Sequence, residues 1–351
     1  MGNRNSKAEK IKNFDPNGVG LKNGHFIGLP FEEEEAGIVL IPVPWDVTVS
    51  YGAGTATGPA NILDTSPQLD LLDPDVPEAW KMGIFMRPPD ETWLSRSKEL
   101  RPKAARYIEQ LEEGISIEVA TLEQINEACA KLKNWVRAET NALLDQGKAV
   151  GIVGGEHSVP LGFLEALADR HPGFGILQID AHMDLRKAYE GFTYSHASIF
   201  YNALQLQSIS QLTQVGIRDY CDAEVAIATA DQRCRVYYNH QLQEARFRGA
   251  TWHQQCEEII STLPKEVYIS FDIDGLRPEL CPNTGTPVPG GLTFEEATYL
   301  LNRVVASDRR IIGFDLCETA GFPHEWDANV GARILYKLAN LMGKSQNIPI
   351  A

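Results

Sequence analysis

The chain has 351 residues, of which 43% are hydrophobic and 23% are charged. This composition is typical of a folded globular protein with a sizeable core, and it excludes disordered, collagen-like and coiled-coil architectures. Because 47 acidic residues outnumber 32 basic ones, the formal net charge is −15, which argues against nucleic acid as a partner and leaves a cationic ligand open.

The sequence carries no signal for export or membrane insertion. No run approaches the roughly 18 to 20 apolar residues of a transmembrane helix, and the polar start MGNRNSKAEK has no signal-peptide core. The six cysteines lie far apart and form no CxxC pair, a pattern typical of reduced thiols rather than of a disulfide framework. We therefore expect a cytoplasmic protein that does not contact membranes.

In chain order, an N-terminal arm is expected first, over residues 1–35, which end in the acidic run 32–35. From residue 36 onward, apolar strand-like runs alternate with helical stretches. The predicted strands are 37–42, 149–153, 174–180, 212–217, 267–274 and 311–316. Several lack polar alternation, as expected for parallel strands that are buried on both faces.

Helical periodicity predicts helices at 121–146, 160–171, 293–306 and 327–342. Thr121 with Gln124, and Thr293 with Glu296, have the spacing of capping boxes that begin a helix. The alternation predicts an α/β fold with helices on both sides of a mostly parallel sheet. We interpret residues 36–351 as a single domain, in which the stretch 71–116, with its Pro-rich patches, is an insertion.

Three polar clusters follow predicted strands, at the sheet edge where open α/β proteins bind their ligands. They are GGEHS at 154–158, DAHMD at 180–184 and SFDID at 270–274. Residues two apart in an extended chain share a face, so we expect Asp180, His182 and Asp184 to point together. The same spacing predicts a shared face for Asp272 and Asp274.

Carboxylates on one buried face repel each other unless cations lie between them. With His157, the clusters supply two imidazoles and four carboxylates, a set suited to Mn²⁺, Ni²⁺ or Zn²⁺. Six ligands exceed the need of one ion with an open position, whereas two ions can share carboxylates and activate water for hydrolysis. Taken singly, a strand-end Asp often caps a helix or turn, and His157 fits a loop or core position. Three clusters in sequence favour a two-metal centre.

GGEHS, DAHMD and SFDID, in this order and separation, resemble the three signatures of the ureohydrolase family, which includes arginase, agmatinase and formiminoglutamase. The resemblance covers roughly residues 36 to 342. It extends to SYGAGTATGP at 50–59, VGIRD at 215–219 and TGTPVPGGL at 284–292. It implies a three-layer α/β/α fold, a dinuclear metal centre, hydrolysis of a guanidino or related amidino group, and assembly into homotrimers or hexamers.

The resemblance also implies roles for the metal ligands. The residues that match ligands of one ion, or bridges, are His157, Asp180, Asp184 and Asp272. Those that match ligands of the other ion, or bridges, are Asp180, His182, Asp272 and Asp274. In this scheme Asp274 also orients the water that attacks the substrate.

Two further residues match catalytic positions of the family. His196 matches the acid/base or proton-shuttle histidine, and Glu318 matches the carboxylate that holds the guanidinium, since a carboxylate binds a planar guanidinium in bidentate fashion. Without the resemblance, His196 fits an exposed histidine at a helix start, and Glu318 fits a solvated residue at a strand end. We interpret Arg218 and Asp219 as packing residues behind the site.

Departures from the family pattern bear on the substrate. TAT at 55–57 replaces the usual Arg of P-G-T-R-x-G-P, and 185–194 replaces the Asn- and Ser-rich segment with which arginases bind an α-amino acid. The overall pattern is most similar to agmatinase-like chains of cyanobacterial type, which include guanidine hydrolases. We therefore favour guanidine as the substrate, with agmatine or a guanidino acid as alternatives. Ni²⁺ is associated with the guanidine hydrolases, and Mn²⁺ is the family's usual ion.

Two other function classes remain open. A dinuclear phosphoesterase would carry additional histidines and cationic phosphate clamps, and a non-catalytic metal-binding homologue would have lost His196, Glu318 or a ligand. Phe322, His324 and Trp326 follow Glu318 and are candidate pocket walls or, equally, loop anchors.

Overall fold

A computed structural model describes residues 6–115 and 119–350 of the chain. Eight parallel strands form one sheet: β1 (Ile38–Val43), β2 (Ile84–Met86), β3 (Ala149–Gly154), β4 (Phe174–Ile179), β5 (Ile209–Ile217), β6 (Cys234–Tyr238), β7 (Glu266–Asp272) and β8 (Arg310–Cys317). Their order across the sheet is β2-β1-β3-β8-β7-β4-β5-β6. The predicted α/β class with a mostly parallel sheet is confirmed.

The two strands that the sequence did not predict are the edges of this sheet. β2 has only three residues, and in β6 only Cys234 is buried. Neither strand therefore has the continuous apolar run that identifies a central parallel strand. The six predicted strands are all present, and their observed ends differ from the predicted ones by at most three residues.

Helices cover both faces of the sheet, so the fold has three layers. They are α1 (Lys7–Asn13), α2 (Gly58–Thr65), α3 (Glu91–Glu112), α4 (Val119–Asp145), α5 (Leu161–Ala168), α6 (Ile199–Ala203), α7 (Asp222–Ala230), α8 (Asn239–Phe247), α9 (Trp252–Ser261), α10 (Phe294–Ala306) and α11 (Glu325–Ser345). Among the described residues, no helix is long and apolar enough to cross a membrane.

Alternate residues of β1 enter different cores. In β1, Ile38 and Leu40 pack in a core with α2 and α8 to α11, whereas Val39 and Ile41 pack in a second core with α3 to α6. Each such fully buried aliphatic side chain contributes about 1.5–3 kcal/mol to stability. The two cores hold the central strands in place and leave their carboxyl ends free to carry polar loops.

One of the helix predictions needs a correction. α4 begins at Val119, so Thr121 lies in the first turn of the helix and is not its N-cap; residues 116–118 lie outside the described ranges. The stretch 71–116, interpreted as an insertion, contains the edge strand β2 and the long helix α3. The capping box of α10 is confirmed, since Thr293 Oγ1 accepts from the Glu296 backbone N–H at 3.1 Å, and Glu296 Oε2 accepts from that of Thr293 at 2.9 Å.

The described part of the arm packs beside β2. Lys10 pairs with Glu35 at 2.5 Å, and the rings of Phe14 and Trp80 lie 5.1 Å apart. Lys7 Nζ donates to a main-chain carbonyl just before β2, that of Met82, at 2.7 Å. These contacts lie at the outer edge of the sheet, away from the polar clusters on the central strands.

Candidate metal centre and active site

The central strands β3, β8, β7 and β4 end side by side, and the predicted site residues follow them. A cavity of about 160 Å³ lies at this edge of the sheet. Seven of the eight predicted site residues line it: His157, His182, Asp184, His196, Asp272, Asp274 and Glu318. The eighth, Asp180, is fully buried and lies within 3.0 Å of His157 and 3.5 Å of His182. The structure thus brings all eight together.

One group of candidate ligands surrounds His157. Its Nδ1 lies 3.0 Å from Asp180 Oδ2, 3.0 Å from Asp184 Oδ2 and 3.3 Å from Asp272 Oδ2. All four side chains are at least nine-tenths buried. A nitrogen lone pair and three carboxylate oxygens that converge in this way form a ligand set for a divalent cation.

A second group surrounds His182. Its Nδ1 lies 3.1 Å from Asp274 Oδ2 and 3.5 Å from Asp180 Oδ1. Asp180 therefore belongs to both groups and turns a different oxygen toward each histidine. This arrangement fits a carboxylate that is shared between two neighbouring ion sites.

The side chains converge, but not through the extended geometry that the spacing suggested. β4 ends at Ile179, and Asp184 has φ +54°, a left-handed conformation that is uncommon outside glycine. β7 ends at Asp272, and Asp274 lies in a single 3₁₀ turn over Ile273–Gly275. Turns after the strands, rather than strand alternation, bring these carboxylates together.

Backbone N–H groups fix the orientation of the carboxylates. The N–H of His182 donates to Asp180 Oδ1 at 2.6 Å, and that of Asp274 donates to Asp272 Oδ1 at 2.8 Å. The N–H of Ala181 donates to Asp274 Oδ1 at 3.0 Å. Each of these bonds holds one oxygen of a carboxylate whose other oxygen lies close to a histidine.

The electrostatics of this cluster fit bound cations. Burial, together with the charge of Asp180, raises the pKa of Asp184 to about 7. Burial and the charges of Asp274 and Asp180 raise the pKa of Asp272 well above its ordinary value. Burial opposes the protonation of His157, but the surrounding carboxylates raise its pKa. The protein's own charges thus leave these carboxylates poorly compensated, and divalent ions would stabilise them.

The other side of the His157 ring is held by a buried pair that the sequence analysis missed. Nε2 lies 2.9 Å from Ser270 Oγ, and the Ser270 hydroxyl donates to Asp315 Oδ2 at 2.7 Å. Because that hydroxyl donates its proton to Asp315, Nε2 must carry a proton and donate to Ser270. In the neutral ring, which is the form that binds a metal ion, Nδ1 is then the lone pair that faces the carboxylates. The sequence signal that could have identified this pair is the presence of a polar residue inside each of the apolar runs of β7 and β8.

Glu318 enters the cavity from the end of β8 with φ +62°. Its Oε1 accepts from the His157 backbone N–H at 2.9 Å, whereas its buried Oε2 has no hydrogen-bond partner. Burial is the main cause that raises the pKa of Glu318, and the charge of Glu156 raises it further. An unpartnered carboxylate oxygen in a cavity is a binding position for a cation with N–H donors.

His196 lies at the start of a single 3₁₀ turn, His196–Ser198, and lines the cavity. Its N–H donates to Thr48 Oγ1 at 3.1 Å, and both the hydroxyl and the N–H of Thr48 donate to the buried carboxylate of Glu156, at 2.8 and 2.7 Å. Burial, together with the charge of His182, lowers the pKa of His196 to about 3. The imidazole is therefore neutral at physiological pH. Thr48 and Glu156 were not identified from the sequence.

The proposed aromatic walls need correction. Phe322, His324 and Trp326 do not line the cavity. The Phe322 and Trp326 side chains are more than half exposed, and Trp326 Nε1 donates to the carbonyl of Glu279. They fit the loop-anchor interpretation.

The observed walls come from other segments. Tyr51 and Tyr189 line the cavity together with Arg186, whose guanidinium lies 4.5 Å from the centre of the Tyr189 ring. Arg218 supports the loops behind the site, because it donates to the carbonyls of Asp274 and Val288. These aromatic and basic residues fall in segments where no periodic pattern marked them.

The sequence and fold were then compared with those of known proteins. A model of the arginase family matches residues 36–340. An N(1)-aminopropylagmatine ureohydrolase of Thermus thermophilus is 30% identical over 313 residues, which are 88% of this chain and 92% of that protein. An agmatinase of Bacillus anthracis is 29% identical over 293 residues, 83% of this chain and 85% of that protein.

Solved structures share the fold at lower sequence identity. The agmatine ureohydrolase of Thermoplasma volcanium superposes with a TM-score of 0.69 at 21% identity, over 97% of this chain and 99% of that one. Proclavaminate amidinohydrolase from Streptomyces clavuligerus gives a TM-score of 0.69 at 22% identity, over 93% and 99%. These two likenesses confirm the predicted three-layer α/β/α architecture.

Proposed function

The chain belongs to the arginase family, and from this membership we propose that it hydrolyses a carbon–nitrogen bond of a small cationic guanidino compound and releases urea. The observation that carries the proposal is the position of Glu318. Glu318 lines the same small cavity as both groups of candidate metal ligands, and its buried Oε2 has no hydrogen-bond partner. A guanidinium bound there would present its central carbon to the metal side of the cavity.

Two divalent ions are part of the proposal. The ligands of the first would be His157, Asp180, Asp184 and Asp272, and those of the second Asp180, His182, Asp272 and Asp274. When bound, such ions lower the pKa of water and stabilise negative charge that develops during the reaction. The nitrogen and oxygen donor set fits both Mn²⁺ and Ni²⁺; because we favour guanidine as the substrate, we propose Ni²⁺ first and Mn²⁺ second.

The remaining steps fall to side chains. Asp274 also lines the cavity, and its carboxylate would accept a hydrogen bond from the attacking water and orient it toward the guanidinium carbon. His196 lines the same cavity, and we assign to it the relay of a proton from the attacking water to the leaving nitrogen. For guanidinium the reaction balances as guanidinium plus water giving urea plus ammonium, with one carbon–oxygen bond formed and one carbon–nitrogen bond broken.

Guanidine itself is the substrate that we favour. The cavity is small, and the guanidinium of Arg186 forms part of its wall. A cationic tail that extends from a bound guanidino group would meet this positive charge, whereas guanidine has no tail. The nearest acidic partner of Arg186 is Glu224 at 3.7 Å, and the oxygens of Glu224 already accept backbone N–H groups.

A second candidate substrate is agmatine or a related guanidino amine. Two observations favour it. The relatives named above are described as acting on such compounds, and Asp219, expected from the sequence to pack behind the site, is instead exposed and lines the cavity. A carboxylate at this position could bind a terminal ammonium. A guanidino acid, with its carboxylate at Arg186, is the third possibility.

Urea release separates these candidates. The purified protein is loaded with Mn²⁺ or Ni²⁺ and assayed with guanidine, agmatine, guanidinobutyrate and arginine. We expect the highest kcat/KM with guanidine. Turnover confined to agmatine would contradict the guanidine assignment, and inactivity on all four compounds would reopen the phosphoesterase and non-catalytic alternatives. Light scattering of the same samples tests the trimer or hexamer that the resemblance implies.

A further inference from the structure

Two buried glutamines lie directly beneath the shared carboxylate Asp180. Gln178 is on β4 and Gln214 is its register partner on β5. Both side chains are fully buried. Gln178 Nε2 lies 2.8 Å from Asp180 Oδ2 and 3.0 Å from the carbonyl oxygen of His182.

Chemistry fixes the orientation of both amides. Gln214 Nε2 lies 2.7 Å from the carbonyl oxygen of Met183 and 2.6 Å from Gln178 Oε1. Main-chain carbonyls can only accept hydrogen bonds, so each must face an NH₂ group. Gln214 therefore donates to Met183 and to Gln178, and Gln178 in turn donates to Asp180 and His182. The four bonds form one directed chain that ends at the carboxylate.

This chain of hydrogen bonds completes the restraint on Asp180. Its Oδ1 accepts from the His182 backbone N–H, and its Oδ2 accepts from Gln178. Each oxygen thus has one lone pair occupied by a protein donor and one left to face a histidine, His157 for Oδ2 and His182 for Oδ1. A carboxylate fixed in this way can serve two ions, one with each oxygen.

The Gln178 amide also suits this position because it is uncharged. A lysine or arginine beneath Asp180 would neutralise the carboxylate and compete with bound cations. An amide fixes the carboxylate while leaving its negative charge for the ions. Gln178 additionally ties the carbonyl of His182 to the same group, so it couples the shared ligand to the loop that carries a ligand of the second group.

We propose that Gln178, held in orientation by Gln214, is a positioning residue that fixes Asp180 between two ion sites and thereby sets the metal affinity of both. The inference rests on the two-metal centre of the proposed function. It concerns binding, so it can be tested without substrate. Supporting hydrogen bonds of this kind typically contribute about 10- to 100-fold in metal affinity.

The experiment titrates metal-free full-length protein with Mn²⁺ in a calorimeter. For Gln178→Met, which keeps the length of the side chain but removes the amide, we expect both dissociation constants to rise by about 10-fold or more. Gln214→Met should give a smaller rise. Gln211→Met is the matched control, because Gln211 lies on β5 like Gln214 but its side chain donates to Leu212 and Thr213. The Gln211→Met protein should bind Mn²⁺ with wild-type affinity.

The double variant tests whether Gln214 acts on Asp180 through Gln178. If Gln214 acts through Gln178, then Gln178→Met/Gln214→Met binds Mn²⁺ no more weakly than Gln178→Met alone. Fully additive effects would overturn that dependence. Thermal melting of the metal-free proteins reports folding, and if Gln178→Met does not fold, an unchanged affinity in Gln214→Met overturns the inference.

The remaining outcomes also decide the matter. A Gln178→Met protein that melts at a lower temperature yet binds Mn²⁺ with wild-type affinity would show that the glutamine only packs, and the inference would be wrong. Wild-type protein that binds neither Mn²⁺ nor, in a parallel titration, Ni²⁺ would overturn the two-metal centre of the proposed function, and the inference with it.

Discussion

Two regions of the molecule bury clustered carboxylates, and they compensate the charge in different ways. Beside α11, Lys337 Nζ lies 2.7 Å from Asp73 and 2.6 Å from Asp75, and Asn340 donates to Asp73 at 3.0 Å. At the carboxyl edge of the sheet, the four aspartates of the candidate centre face only two imidazoles. In residues 6–115 and 119–350, no lysine or arginine side chain pairs with those four.

The difference separates structural from functional use of buried charge. The α11 cluster, defined here as Lys337, Asp73, Asp75 and Asn340, contains its own cation and needs nothing from solution. The sheet-edge centre contains an excess of carboxylates, so its compensation must be bound. Buried acidic groups that no protein cation pairs with are costly, and a fold that keeps them does so where a ligand is expected.

The largest expected effect comes from removing a ligand of the centre. Asp272→Ala should lower kcat/KM for the preferred substrate by about 10⁴-fold, because a carboxylate proposed for both ion sites is lost. Without metal, the same variant should be as stable as the wild type or more so, since a repelling buried charge is gone. Steady-state urea assays, metal analysis and urea denaturation of the metal-free proteins check both parts.

Asp75→Ala is the control from the α11 cluster. It should retain the wild-type metal content and activity while losing stability. An Asp272→Ala protein that keeps full activity with both ions bound would refute the assignment of the centre.

Glu318→Gln is expected to have the next largest effect. The amide oxygen can still accept from the His157 N–H, but the negative charge that faces the substrate disappears. We expect kcat/KM to fall by about 10³-fold, near 4 kcal/mol, with unchanged metal content. Wild-type kinetics in this variant would mean that the guanidino group binds elsewhere in the cavity.

The sequence predicted the sheet-edge centre far better than the α11 cluster. The candidate ligands lie in short motifs directly after apolar strands, where topology alone places them at one edge. Asp73 and Lys337 are 264 residues apart, and no local pattern links them. For the same reason the sequence did not predict the contact between Thr48 and His196, which are 148 residues apart. Periodicity finds elements, but contacts between distant loops depend on packing that the pattern does not encode.

A third test weakens the compensated cluster instead. Lys337→Met leaves two acidic side chains without their cation, so the free energy of unfolding should fall by about 2 kcal/mol, below the range for fully buried pairs because Asp75 is one-third exposed. Lys131→Met, which removes an exposed pair with Glu127, should leave the free energy of unfolding nearly unchanged. Urea denaturation measures the free energy of unfolding of both variants. Equal losses in the two would contradict the distinction between buried and exposed ion pairs.

The smallest expected effect, about tenfold for one pH unit, is the pH dependence of metal affinity. Burial and the charge of Asp180 raise the pKa of Asp184 to about 7 in the metal-free protein, so below that pH a proton occupies the carboxylate and a metal ion must displace it. Mn²⁺ affinity should therefore fall by about tenfold for each unit below pH 7 for this proton alone, and somewhat more steeply because His157 and His182 also have raised pKa values.

Asp184→Asn isolates the contribution of this carboxylate. The variant should bind Mn²⁺ more weakly at pH 8, where the wild-type carboxylate is ionised, but its affinity should fall less steeply toward pH 5 because one competing proton has been removed. Calorimetric titrations at pH 5, 6, 7 and 8 give both slopes. Because the α11 cluster carries its own cation and lies outside the centre, Asp75→Asn should leave the wild-type slope unchanged. Equal slopes in the wild type and Asp184→Asn would mean that this carboxylate binds no proton that the metal must displace.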